Sequence, residues 1–197
     1  QAIVQSGLQA GELAIFVGAG GIGGIGVQIA KAKGAPVVAI DVNEERLQFL
    51  RDFGADATFN ARTMGAKEIR DAIREFARQK NCPLLEWKIF ETSGTVVGQQ
   101  MAFSLLNPGA TLMVVGYAPK DVSVRLSNLM AFEARALGVW GCPPAFYPEA
   151  LALVEKGDVV LESFIERQPM SRINEVLLEL HQKRIKRRVV FLPGEKT

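Results

Sequence analysis

The chain has 197 residues, 48% of them hydrophobic and 22% charged, and its 23 Lys and Arg against 21 Asp and Glu leave a formal charge of +2. That composition describes a packed globular protein and excludes a large disordered region, and so small a net charge argues against a nucleic-acid surface. Cys82 and Cys142 are too few and too far apart for a disulfide scaffold or a paired-cysteine zinc site, which fits a reducing, cytoplasmic setting. Lys31, Lys33 and Asp41 interrupt the most apolar region before it reaches the roughly 20 residues a membrane helix needs. The chain begins at Gln1 with no initiator Met and no signal-peptide pattern, so an upstream segment is expected.

In chain order, residues 13–17 read as a buried strand, 23–33 as a helix ended by Gly34, and 37–40 as a second buried strand stopping at Asp41. A helix over 44–53 follows, with Leu47 and Leu50 on one face, then the turn Gly54-Ala55-Asp56 and a short strand near 58–60. Residues 66–80 form a charged amphipathic helix with Ile69, Ile73, Phe76 and Ala77 at helical spacing, and 87–91 the next strand. The spacing predicts a helix over 99–106 stopped by Pro108-Gly109, a strand over 111–115 ending at Gly116, a polar loop, and a last strand over 136–140. Strand-length apolar runs alternating with amphipathic helical ones predict the α/β class: a doubly wound parallel sheet, the Rossmann fold, over residues 1–142. From Pro143 the pattern changes to a helix over 148–156, an extended stretch over 163–168, a helix over 171–182 and a strand over 189–192. About 55 residues is near the lower limit for an independent domain, so 143–197 is expected to pack on a region outside this chain.

The run Gly18-Ala19-Gly20-Gly21-Ile22-Gly23 has G-x-G-x-x-G spacing, and its context raises it above chance: a buried strand precedes it, a helix follows, and Asp41 ends the next strand. Gly18 allows the tight turn, Gly20 lets the backbone approach phosphate oxygens, and Gly23 permits close helix-to-strand packing. The helix start then offers N–H groups and a positive dipole end to a pyrophosphate. The alternative is that the glycines only allow a helix to cross the sheet closely. Asp41 is placed to accept hydrogen bonds from both hydroxyls of an adenosine ribose, and Val42 and Asn43 supply no cation for a 2′-phosphate, so NAD is expected over NADP. Arg46 either reaches the adenosine end or lies on a solvated helix face.

Ligands of open sheets bind beyond the carboxyl ends of the strands, so residues 92–94, 116–117 and 140–141 should face one crevice, although Gly94 and Gly116 also suit simple turns. His181, the single histidine, has no acidic or cysteine partner at metal spacing, and Cys142 has no nearby base to make it a nucleophile. The basic cluster Lys183, Arg184, Lys186, Arg187 and Arg188 reads as a solvated helix end, or as an arginine leading back to a phosphate.

With these residues in place, the chain resembles the medium-chain dehydrogenase/reductase family, of the zinc-type alcohol dehydrogenases, from Gly11 and Glu12 through Arg188 and Val189. Residues 86–95, 124–132 and Arg135–Gly138 carry a finer resemblance, to members acting on an alicyclic alcohol held as a CoA thioester in anaerobic aromatic degradation. The resemblance implies an NAD-dependent oxidoreductase in which Gly18, Gly20, Gly21, Ile22 and Gly23 form the phosphate turn, Asp41 holds the ribose and Arg46 lies near the adenosine. It implies that Thr92, Ser93, Val115, Gly116, Gly138 and Trp140 line the nicotinamide side, with Arg187 or Arg188 at the pyrophosphate. It further implies catalytic zinc in the full-length protein, bound in an N-terminal half whose ligands have no counterpart here. No catalytic or metal-binding residue is then expected in this chain, which by itself would be inactive. Pairing through residues 137–140 into a homodimer or homotetramer is also implied. A zinc-free quinone or enoyl reductase and a non-catalytic nucleotide sensor are the competing readings of the same turn.

Overall fold

Strands covered on both faces must be apolar at nearly every position. β1 (Ala14–Val17) is buried throughout, and β2 (Val37–Asp41) is buried up to its final aspartate. With β3 (Ala57–Asn60), β4 (Lys88–Glu91), β5 (Thr111–Val114) and β6 (Arg135–Gly138) they form a six-stranded sheet in the order β3-β2-β1-β4-β5-β6, parallel at every pairing. The chain is described here by a computed structural model covering residues 1–182, 184, 185 and 187–194. Strand order reverses between β1 and β4, so the connections leaving those neighbours diverge and open a crevice at their C-terminal ends. The doubly wound sheet expected from the sequence is the one observed.

The helices of this first unit, Gln1–Val159, are α1 (Ala2–Gln5), α2 (Gly21–Ala32), α3 (Glu44–Asp52), α4 (Ala66–Gln79), α5 (Val96–Ser104), α6 (Ser127–Ala131) and α7 (Tyr147–Glu155). The stripe expected on α4 is buried in full, and Ile69, Ile73, Phe76 and Ala77 join Ile15, Val17 and Ile89 of the sheet and Ala102 and Phe103 of α5 in one core. Phe16 turns to the opposite face, where it stacks on Phe90 at 4.7 Å under α2.

Three local differences from the sequence reading have physical causes. α2 begins at Gly21 rather than Gly23, because four glycines in its first turns carry no side chains to mark a period. α5 begins at Val96 rather than Gln99: the Thr95 hydroxyl caps it by accepting from Gly98 N–H, which overrides the strand preference of Val96 and Val97. The loop before β6 contains α6, a single short turn with no buried side chain to reveal it. The division placed at residue 143 marks the change in element pattern, whereas the first compact unit continues through α7 to Val159.

The second unit, Val160–Thr197, contains β7 (Ile165–Pro169), α8 (Ile173–His181) and β8 (Arg188–Leu192). β7 and β8 pair in parallel, Ile165 opposite Arg188 and Pro169 opposite Leu192, and α8 supplies the crossover that parallel pairing requires. Val176 of α8 is buried, while Leu177, Leu178 and Leu180 are each more than half exposed. Lys183 and Lys186 of the basic cluster lie outside the described residues.

Gly26, not singled out by the sequence, lets α2 approach the sheet: a Cβ there would lie 2.5 Å from Phe16 Cε1, and that ring is held by Phe90. Gly26→Ala gains about 1 kcal/mol of helix propensity but overpacks a fixed ring at about 1–3 kcal/mol, so it should lower stability in urea denaturation. A raised midpoint would contradict this packing. Cys82 is buried and Cys142 exposed, and burial, reinforced by Asp56 and opposed by Lys80, pushes the Cys82 thiol up. A disulfide reagent at pH 8 should therefore titrate one thiol rapidly in the native chain, a reaction lost in Cys142→Ser, and reach Cys82 only after denaturant is added.

Candidate functional site

The crevice is built by the 18–23 turn on one side and the ends of β4 and β5 on the other. Gly18 has φ +109, in the region favouring glycine, and a Cβ on it would lie 2.5 Å from Ser93 N. A Cβ on Gly23 would overlap the Gly18 carbonyl oxygen and lie 2.7 Å from Thr92 Oγ1. Both glycines are thus required by close approach. Gly20 differs: nothing lies within 4 Å of the position its Cβ would take, so the backbone there is open to a ligand.

Gly20 is the N-cap of α2 and offers no side-chain hydrogen bond, and the first bond inward is Gly24 N–H to Gly20 O at 2.7 Å. The first turn holds no acidic residue, so the positive end of the helix dipole is uncompensated by its own side chains. α3 shows the contrast. Asn43 caps it by accepting from Arg46 N–H at 3.1 Å, and Glu44 and Glu45 occupy its first turn. Only α2 of the two presents a start suited to an external anion.

Asp41 stands at the end of β2, partly exposed, with Oδ2 accepting from Ala19 N–H at 2.7 Å and Oδ1 from Asn43 N–H at 2.9 Å. The carboxylate therefore braces the glycine turn and the start of α3 together. Each of its oxygens retains acceptor capacity beyond the N–H it already holds. Arg46, also partly exposed, makes no side-chain hydrogen bond or ion pair among the described residues. Ile22 on the outer side of the turn is 48% exposed.

Across the crevice, the Thr92 hydroxyl bridges to Gly18 O at 2.9 Å and Val17 O at 3.2 Å, joining the ends of β1 and β4. Ser93 N–H and hydroxyl both donate to Glu91 Oε1, at 2.8 and 2.5 Å, and Gly94 N–H donates to the same oxygen at 3.1 Å. Val115 N–H and Gly116 N–H each donate to Glu91 O at 2.9 Å. A Cβ on Gly116 would run into Gly94 N, so Gly94 and Gly116 meet rather than serve as unrelated turns. Gly138 pairs with Val114 at the same sheet edge, and Trp140, just beyond β6, is 90% exposed.

The fold therefore brings Gly18, Gly20, Gly21, Ile22, Gly23, Asp41, Thr92, Ser93, Val115 and Gly116 to one edge, with Gly138 and Trp140 farther along it. Arg188 opens β8 in the second unit, preceded by Arg187. Glu91 escaped the sequence reading, which took it as the end of a strand. Its signal was an acid closing an otherwise apolar parallel strand directly before the donor-rich Thr92-Ser93-Gly94. Among the described residues no group of three or more His, Cys, Asp or Glu side chains is placed to hold a metal ion such as zinc. Among those residues, too, no helix is long and apolar enough to cross a membrane.

Known proteins share this architecture. The alcohol dehydrogenase of Geobacillus stearothermophilus is 26% identical over 194 residues, covering 97% of this chain and 53% of its own length. The crystal structure of galactitol-1-phosphate dehydrogenase from Escherichia coli matches with a TM-score of 0.85 at 25% identity, over 98% of this chain and 56% of that one. Acetophenone reductase from Geotrichum candidum NBRC 4597, solved in complex with NAD, shares the fold with a TM-score of 0.79 at 24% identity, over 96% of this chain and 51% of its own. The chain spans about half the length of these relatives. Residues 21–156 match the zinc-binding dehydrogenase family, from the first residue of α2 to the residue after α7, and the chain belongs to that family.

Proposed function

We propose that this chain is the NAD-binding part of an alcohol dehydrogenase that transfers a hydride from a secondary alcohol to NAD. The carrying observation is Asp41 bonded to Ala19 N–H beside the uncapped start of α2, which puts a ribose acceptor next to an anion site. The pyrophosphate would take the N–H groups of Gly21, Ile22 and Gly23 over the open backbone of Gly20. The ribose hydroxyls would donate to Asp41, with Arg46 toward the adenosine. Thr92, Ser93, Val115, Gly116, Gly138 and Trp140 would line the nicotinamide side. When bound, NAD supplies the nicotinamide ring that accepts the hydride, and these residues bind and orient it. No step is assigned to zinc, because its ligands would have to come from a part of the protein outside this chain. The exposed leucines of α8 support packing of the C-terminal segment on that part. Leu137, 40% exposed on edge strand β6, and Trp140 beyond it support pairing into a homodimer or homotetramer. A cytoplasmic location suits an enzyme of this kind.

NAD is favoured over NADP because a 2′-phosphate would meet Asp41 with Asn43 already committed to capping α3. In fluorescence titrations NADH should bind more tightly than NADPH, and equal affinities would remove the NAD assignment. Asp41→Ala should weaken NADH by roughly tenfold to a hundredfold, the equivalent of about 1.5–3 kcal/mol of charged hydrogen bonding, and NADPH far less. Equal loss of both would take Asp41 out of this role.

The substrate proposal is finer and rests on the sequence resemblance of residues 86–95, 124–132 and Arg135–Gly138. It is 6-hydroxycyclohex-1-ene-1-carbonyl-CoA, oxidised to the 6-oxo thioester in anaerobic aromatic degradation. The full-length protein should then show a higher kcat/KM for this thioester than for short alcohols or polyols. The reverse order would overturn the thioester and keep the alcohol dehydrogenase.

A further inference from the structure

Glu91 is the only charged side chain that is fully buried among the described residues. An apolar residue of similar size would fill the end of β4 at a lower desolvation cost, so the carboxyl needs a reason to be there. Its contacts supply one. Oε1 takes three donors from the β4–α5 turn: Ser93 N–H, the Ser93 hydroxyl and Gly94 N–H. The main-chain oxygen of the same residue holds Val115 N–H and Gly116 N–H at the end of β5. Oε2 has no hydrogen-bond partner among the described residues and faces Gly116, where a Cβ would lie 2.7 Å away. Gln99 Nε2 closes the arrangement by donating to Gly116 O at 3.1 Å. One residue thus fixes the separation between Thr92-Ser93 and Val115-Gly116, while the 18–23 turn and Asp41 make no hydrogen bond to it.

We propose that Glu91 is a positioning residue for the nicotinamide half of the cofactor, acting through Ser93, Gly94 and Gly116. This rests on NAD binding in the crevice as proposed above. Removing the Oε1 acceptor releases two N–H groups and a hydroxyl from a turn that would border the nicotinamide. The adenosine and pyrophosphate contacts belong to β1, α2 and β2, and the Thr92 hydroxyl, which makes no bond to Glu91, still ties the glycine turn to the end of β4.

The test compares NADH with ADP-ribose, which carries the adenosine and pyrophosphate but no nicotinamide, on the full chain. Glu91→Ala should raise the Kd for NADH about tenfold and leave that for ADP-ribose within about twofold, with bound-NADH emission moving toward that of free NADH. Glu91→Gln, which keeps an acceptor oxygen for the turn, should restore most of the NADH affinity. Should Glu91→Ala fail to fold, Glu91→Leu keeps the packed volume, removes the acceptor and decides by the same criterion. Unchanged NADH affinity, or equal loss of NADH and ADP-ribose, overturns the positioning role. A wild-type chain that binds neither ligand overturns NAD binding itself, which separates the two failures.

Discussion

The C-terminal edge of the sheet depends on how closely the 18–23 turn approaches the end of β4. Two positions without a Cβ make that approach possible: Gly18 lies against the Ser93 backbone, and Gly23 lies over the Gly18 carbonyl. Any side chain at either would push α2 off the strands, and the Thr92 hydroxyl could no longer reach Gly18 O and Val17 O. Close approach at this point also fixes where α2 starts. Its uncapped N–H groups therefore point into the crevice created by the reversal of strand order between β1 and β4.

Around that contact, two carboxyl groups do similar work in different surroundings. Asp41 lies partly exposed and braces the glycine turn through Ala19, leaving acceptor capacity toward the crevice. Glu91 is buried and directs one oxygen wholly into the neighbouring turn. The first arrangement suits a group that meets a ligand, and the second a group that holds others in place. Backbone N–H groups are the common element, since a tight turn leaves several of them without ladder partners and a carboxylate gathers them at low conformational cost.

The two compact units of the chain differ in how completely they bury their apolar faces. The first unit has a closed core between its sheet and the helices on either face. The second is a single β-α-β crossover whose helix keeps three leucines exposed. Relatives about twice as long share both parts. The crevice at the reversal of strand order is built by the first of these units alone.

By itself, the sequence determined the parallel sheet, the order of its elements, the glycine turn and the acid at the end of β2. These are written in local patterns: continuous apolar runs for doubly covered strands, helical spacing on α4, and glycines spaced G-x-G-x-x-G between a buried strand and a helix. Tertiary structure alone decided three other features. Gly26 is required because Phe16 lies beneath it, Gly94 and Gly116 touch because β4 and β5 are neighbours, and Glu91 serves both strand ends. The first two have no local signature, and for Glu91 the local pattern marks the acid but not its second strand end. Phe16 with Gly26, Gly94 with Gly116, and Glu91 with Val115 and Gly116 are contacts between residues separated in sequence, and only the tertiary fold brings such residues within the few ångströms over which sterics and hydrogen bonds act.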